Sequence, residues 1–315
     1  MPEALVEING KLTEVELPTS LDVLDLLIID HEVCIVQHSK MPVPGEKSSV
    51  TLLDASTLAV KASCELDLPK SIWRFPQLVK LGANGFGLYY SFYADDSPFE
   101  DVAILQIVHK DGQLVLSPFL NIEHHPDMLG HLDCIMSSSR ADGQLNLFLW
   151  TYEKNEAVRP MVVHRVEGAE ASNSILRITS KCWKRETVRT EFNGHVAIGS
   201  CVYVGDGDSV TVYDFDSDTQ KTVKIDDAEH FCLKAVVNDR YIIATSTARI
   251  LALVDSTDMS VVRKIELANF YFTFLSVSEA GEAVTCKYRD QDISEGAEAK
   301  KRTLCTFSML NPPSA

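Results

Sequence analysis

With 315 residues, 45% of them hydrophobic, the chain is long enough for one large core or two ordinary domains. A formal net charge of −16 argues against nucleic acid and against anionic membrane surfaces, because both are bound through clustered Lys and Arg. No apolar run approaches the roughly 18 residues that would cross a bilayer. The opening MPEALVEING shows no secretory leader, and the eight cysteines are scattered singly without a C-x-x-C pair. Reduced core thiols in the cytosol or nucleus are therefore expected.

Taken from the start, the chain is a succession of short runs rich in β-branched and aromatic residues, bounded by turn residues, which is a strand signal. Residues 5–8 and 12–17 flank Asn9-Gly10, a two-residue hairpin signal, and are followed by runs at 23–29 and 33–36. The next cycle of four is 50–53, 58–66, 77–81 and 86–92, with Asp54-Ala55-Ser56-Thr57 between its first two runs. A third covers 102–108, 114–119, 131–136 and 145–151, turning at Lys110-Asp111-Gly112. A looser fourth covers 161–166, 175–178, 196–198 and 201–204. The fifth, 210–213, 222–225, 231–237 and 241–244, is the clearest, and the sixth is 250–254, 261–267, 272–277 and 283–288. A last run, 303–310, begins another cycle.

A four-strand unit repeated six times, with no sustained helical period, predicts an all-β, six-bladed β-propeller spanning residues 1–315 as a single domain. Seven blades are the alternative, since residues 165–192 are irregular enough to hold another hairpin. The chain starts and stops in mid-cycle. Residues 303–310 are therefore expected beside 283–288, with 12–17 completing that sheet, so that strands from both termini close the ring and leave no free edge.

Leu52-Leu53-Asp54, Val212-Tyr213-Asp214 and Leu253-Val254-Asp255, each followed by Ser/Thr/Asp residues, resemble the end of the third strand in WD40-type repeats. There the Asp caps a tight turn through nearby backbone N–H groups. No Trp-Asp pair occurs, and Gly194-His195 alone matches the Gly-His element. The resemblance is to a divergent WD40-like propeller. It implies a binding platform, without assigning a particular family.

In such a ring the fourth-to-first and second-to-third connections crowd one end, and the remaining turns crowd the other. Trp73-Arg74, Trp183-Lys184-Arg185 and Phe270-Tyr271 all fall in fourth-to-first connections. Aromatics and Arg in surface loops are what binding hot spots are made of, so these seven residues are the expected partner-binding set; the other reading has the aromatics filling gaps between blades. The partner would be another protein or peptide, with the chain a non-catalytic scaffold or complex subunit in cytoplasm or nucleus. No cofactor is expected.

His124, His125, Asp127 and His131 are the best zinc-type ligands, but adjacent histidines diverge and the helical H-E-x-x-H spacing is absent. An ordinary polar loop explains them. Asp206, Asp208, Asp214, Asp216 and Asp218 read as turn aspartates, not as an EF-hand. Asp22, Asp25, Asp133 and Glu191, near the beginnings of first strands, keep alive a second function class, a calcium- or zinc-dependent propeller hydrolase or lactonase working at the channel mouth.

Overall fold

Each of those apolar runs is drawn out as strand in the computed structural model. It describes residues 6–7, 13–16, 21–39, 48–67, 76–81, 85–93, 100–122, 131–139, 145–152, 161–167, 177–183, 194–206, 208–225, 232–247, 250–266, 270–278, 280–289 and 302–308. Strands β1 (Val6–Glu7) and β2 (Thr13–Glu16) come first and join sheets assembled near the other end of the chain. The first sheet is β3 (Leu21–Ile29), β4 (Glu32–Ser39), β5 (Ser49–Asp54) and β6 (Val60–Glu65). The second is β7 (Gln77–Leu81), β8 (Gly85–Tyr93), β9 (Glu100–Lys110) and β10 (Gln113–Ile122), and the third β11 (His131–Ser139), β12 (Leu145–Tyr152), β13 (Met161–Glu167) and β14 (Arg177–Trp183). The fourth is β15 (His195–Ile198), β16 (Cys201–Asp206), β17 (Ser209–Asp214) and β18 (Thr219–Lys224). The fifth is β19 (Cys232–Val237), β20 (Tyr241–Thr247), β21 (Ile250–Asp255) and β22 (Val261–Glu266), with β1 added beside β22. The sixth is β23 (Phe270–Val277), β24 (Glu282–Arg289) and β25 (Arg302–Ser308), with β2 on its outer edge.

Five of these sheets are four-stranded and antiparallel throughout, and the fifth carries β1 as a parallel extra strand. The first strands β3, β7, β11, β15, β19 and β23 each touch the next, and β23 touches β3. This is a β-propeller: sheets standing around an axis, each burying both faces against its neighbours. Apolar seams follow. Ile29, Leu52 and Leu66 pack with Phe86, Leu88 and Ile107 between the first and second sheets. Val196 and Tyr203 pack with Leu233, Ile242 and Val254 between the fourth and fifth, and Leu26, Ile28 and Leu53 with Val284, Cys286 and Leu304 between the first and sixth. Cys34, Cys64, Cys201, Cys232, Cys286 and Cys305 are free thiols, and Cys34, Cys286 and Cys305 are fully buried.

The structure departs from the sequence-based expectations in three places. The two runs flanking Asn9-Gly10 do not pair with each other in their described residues: β1 pairs in parallel with β22 (Val6↔Ile265), whereas β2 pairs antiparallel with β25 (Val15↔Leu304), and Asn9 and Gly10 lie outside the described residues. Two adjacent sheets each have an outer edge to cover, and pairing both edges outweighs a local turn preference. The fourth strand of the third sheet runs Arg177–Trp183 instead of 175–178, placing Trp183 in the ladder opposite Met161. Phe270 and Tyr271 likewise open β23, opposite Arg289 and Tyr288, and are not loop residues. Among the described residues there is no seventh sheet.

Candidate functional site

The two ends of the ring are built differently. At one end, hairpin turns join first strand to second and third to fourth: Asp30-His31, Asp111-Gly112, Gly199-Ser200 and Asn238-Asp239-Arg240. Asp30, Asp111, Gly112, Gly199, Asn238 and Asp239 all take positive φ between 48° and 76°, a conformation that Gly, Asn and Asp tolerate best. At the other end, four of the six second-to-third connections are longer, covering 40–48, 94–99, 153–160 and 290–301, while 207–208 and 248–249 are two residues each.

The short-turn end repeats one construction. Asp54, Asp214 and Asp255 each finish the third strand of their sheet. Asp54 Oδ1 accepts the backbone N–H of Ser56 and Thr57 at 3.1 and 3.0 Å and their hydroxyls at 2.6 and 2.9 Å. Asp214 accepts the N–H of Asp216 at 3.0 Å and the Ser217 hydroxyl at 2.6 Å. Asp255 accepts the N–H and hydroxyl of Thr257 at 3.0 and 2.7 Å, and the Arg240 guanidinium at 2.7 Å. One residue further on, the N–H of Ala55, Phe215 and Ser256 donates to the carbonyl of His31, Ser200 and Arg240 respectively, each at 2.9 Å. The third-to-fourth turn is thereby tied to the first-to-second turn of its own sheet.

These bonds favour the charged carboxylate. The Ser56 and Thr57 hydroxyls hold Asp54 down to about 2. The Arg240 guanidinium, then Thr257, holds Asp255 down to about 2. Burial pushes Asp214 up, but the Ser217 and Ser200 hydroxyls and two backbone N–H groups outweigh it, leaving the group below its usual range. The turn aspartates are thus engaged in construction, as the WD40-type resemblance implies.

A neighbouring seam uses the same turn. Arg165 of β13 is ion-paired with Asp216, its guanidinium carbon lies 4.7 Å from the centre of the Phe215 ring, and Phe215 sits 6.0 Å from Phe148 in a core with Met136, Ala197 and Tyr213. The Ser138 hydroxyl and the Asn146 amide both donate to the Gly199 carbonyl, at 2.6 and 3.2 Å, across the same seam.

Asp25 also bridges two sheets. A bulge between Val23 and Asp25 turns its carboxylate toward β7. One oxygen accepts the N–H of Leu26 at 2.8 Å and the other the N–H of Leu78 at 2.7 Å. Desolvation pushes the group up to about 6, with both N–H donors pulling the other way. As a channel-mouth carboxylate of a hydrolase, Asp25 is therefore misplaced; it is a seam bond.

All six first strands line a solvent-open cavity of about 230 Å³. It lies in the short-turn half of the channel, since its walls include Asp30, Asn238, Asp239 and Ser278 together with Leu27, Met136 and Val277 late in their strands. Lys80, His195 and Lys234 supply its basic side chains. Sequence reasoning looked for a site only at the opposite end. The available signal was a lysine inside two otherwise apolar first strands, QLVKL and CLKAVV.

Of the residues expected to bind a partner, Trp183, Phe270 and Tyr271 lie at strand ends that meet fourth-to-first connections. Trp73, Arg74, Lys184 and Arg185 lie outside the described residues. His131 opens β11 opposite Tyr152, while His124, His125, Asp127 and Glu191 lie outside the described residues. Among the described residues no group of three or more His, Cys, Asp or Glu is placed to hold a metal ion, and no helix is long and apolar enough to cross a membrane.

No family model and no curated protein matches the chain. Among solved structures, that of U3-55K, a WD40 β-propeller protein, is similar with a TM-score of 0.51 and 11% sequence identity, covering 88% of this chain and 79% of that one. At that identity the likeness is one of architecture: the chain has a WD40-like β-propeller fold.

Proposed function

We propose that the chain is a non-catalytic interaction module, a subunit that presents the long-connection end of its ring to another protein or peptide. One observation carries this: at the short-turn end, Asp54, Asp214 and Asp255 are engaged by their own turns, whereas the aromatic and basic residues cluster by sequence at the other end. Trp73, Arg74, Trp183, Lys184, Arg185, Phe270 and Tyr271 form the proposed contact set, with the aromatics as anchors and the cations as a rim. On this proposal the six sheets are six blades of one ring, with β2 and β25 sharing a blade so that the platform is rigid. The net charge of −16 points to a partner that is not nucleic acid or an anionic membrane. The free thiols fit a reducing compartment, cytoplasm or nucleus.

The test is affinity capture with the full chain, with a Trp73→Ala/Trp183→Ala variant, and with Arg240→Ala at the opposite end. The proposal expects a co-purifying protein that the first variant loses and the second keeps, with the first variant melting close to wild type. Equal retention by both, or loss by the Arg240 variant alone, overturns it.

A further inference from the structure

Strands β1 and β2 are added to the sheets in different ways. Four register pairs, Thr13↔Thr306 to Glu16↔Thr303, bind β2 to β25 and bring the sixth sheet to four strands. Strand β1 joins the fifth sheet, which already has its four, as a parallel addition outside β22. Among the described residues no other sheet carries a fifth strand.

The added strand is lightly held. Two pairs bind β1, Val6↔Ile265 and Glu7↔Glu266, against the four that bind β2. A parallel ladder is also slightly less stable per residue than an antiparallel one. Residues 8–12 separate the two strands, which lie on different sheets, so β1 can leave β22 while β2 stays on β25. Its departure takes no strand from any sheet of four. Elements held by so few pairs open at the low end of a protein's stability range.

The edge that β1 covers is longer than β1 itself. Strand β22 runs for six residues, Val261–Glu266, and β1 pairs with the last two. Among the described residues no strand lies outside Val261–Lys264. A strand edge presents backbone donors and acceptors that a further strand can take up. Ile265, beside β1, is 1% exposed and packs in the seam with Leu275 and Phe307 of the sixth sheet, which fixes this end of the edge. Val262 stands at the bulge between the pairs Leu253↔Arg263 and Val254↔Val261 and is 37% exposed. Lys264, between them, is a half-buried cation. The occupant that matches this stretch is an extended, mainly apolar strand with an acidic residue for Lys264. Residues 5–8 of the chain, Leu-Val-Glu-Ile, are a sequence of that type.

We propose that the outer edge of β22 is a docking site for an extended, apolar and acidic strand of a partner protein, and that β1 is its displaceable occupant within the chain. The incoming strand adds parallel to β22, as β1 does, with main-chain bonds supplying affinity and the Val262 and Lys264 side chains supplying selectivity. The surface is one sheet edge and does not involve Trp73 or Trp183, so this proposal and the loop-binding one stand or fall separately.

The probe is a fluorescent peptide of residues 1–10, MPEALVEING, titrated into the full chain and followed by anisotropy. A full-length Val6→Pro/Glu7→Pro variant, whose β1 lacks both backbone donors, should bind the peptide about tenfold or more tightly than wild type, because the resident competitor is gone. A peptide carrying the same two prolines should bind neither protein. In wild type saturated with the peptide, hydrogen exchange should speed up at residues 6 and 7 and stay slow through 261–266. That measurement reads displacement even if the proline variant fails to fold. A folded variant that does not bind, equal affinity of variant and wild type, binding of the proline peptide, or unchanged exchange at residues 6 and 7 overturns the proposal. A wild-type dimer in sedimentation that the variant lacks would make β1 of a second copy the occupant, and overturns it as well.

Discussion

Between the fourth and fifth sheets the chain meets its neighbour backbone to backbone, at Gly194, while between the first and second sheets a carboxylate, Asp25, spans the gap. Both stand five residues ahead of the first residue of their hairpin turn, Gly199 and Asp30. Both meet the next sheet at a leucine of its first strand. A Cβ on Gly194 would lie 2.0 Å from the Leu233 carbonyl oxygen and 2.8 Å from its nitrogen; Asp25 instead accepts the Leu78 N–H from 2.7 Å. The glycine seam is closed at this point by backbone contact, so it is intolerant of any side chain there. The aspartate seam is closed by a charge in a desolvated place, so it tolerates an isostere and responds to protons.

Gly194→Ala should break the comparison most severely. It adds a Cβ at φ +80° against backbone that cannot swing away, and we expect a loss of about 3–5 kcal/mol in urea unfolding. A loss below about 1 kcal/mol would show that the fourth and fifth sheets separate without penalty and that the glycine contact is not a seam.

Asp25→Asn comes next, and its effect depends on pH. The folded-state value of about 6 lies above the unfolded 3.8, so the folded protein binds more protons between those values and loses stability as pH rises through that window. Relative to Asp25→Asn, the wild type should be more stable at pH 4 than at pH 7 by about 2–3 kcal/mol. The measurement is the difference between the two proteins' urea midpoints at each pH, which cancels groups they share. Asp54, Asp214 and Asp255, all held low, act with the opposite sign: their stabilising bonds are present above the ordinary carboxylate range and are lost as pH falls below it. A flat difference from pH 4 to 7 would mean that Asp25 is hydrated and the second seam does not rest on it.

The seam between the third and fourth sheets adds an intermediate case. Arg165→Met keeps the apolar stem over Phe215 but removes the guanidinium from the ring and from Asp216. Because the Arg165 side chain is 11% exposed while Asp216 is about half exposed, we expect about 1–2 kcal/mol, little of it screened by salt. A loss that vanishes in 0.5 M sodium chloride would assign the effect to the surface ion pair instead of the ring contact.

These seams also show what was legible in the chain beforehand. The strands and the turn aspartates were, because alternation and turn chemistry are local: Asp54, Asp214 and Asp255 announce themselves by the Ser, Thr and Asp residues that follow them. Gly194 was noticed as part of a Gly-His pair, but the reason for it is the Leu233 backbone, some forty residues further along. Asp25 was read as a catalytic carboxylate candidate, since nothing nearby in sequence reveals the Leu78 N–H that it serves. The pairing of β1 with β2 that Asn9-Gly10 predicts is replaced for the same reason in reverse. A strong local turn signal lost to two sheet edges, β22 and β25, that lie at the far end of the chain. The channel cavity was missed because it belongs to six strands at once, each contributing only a few side chains.

The smallest expected effect sharpens the comparison at a third kind of seam, the one between the sixth and first sheets. There a neutral hydroxyl, Ser276, takes the N–H of Ile28 at 3.1 Å, doing for this seam what the Asp25 carboxylate does for the next. Ser276→Ala leaves that buried N–H without its acceptor, and we expect about 1 kcal/mol. Unlike Asp25→Asn, the loss should be the same at pH 4 and pH 7, because a serine hydroxyl does not titrate there. Ser276→Thr, which keeps the oxygen, should recover most of it if the added methyl turns into the channel. A pH-dependent loss in the alanine variant would mean that the two seams are coupled through β3, which carries both Asp25 and Ile28. The carboxylate and hydroxyl bonds would then be one device.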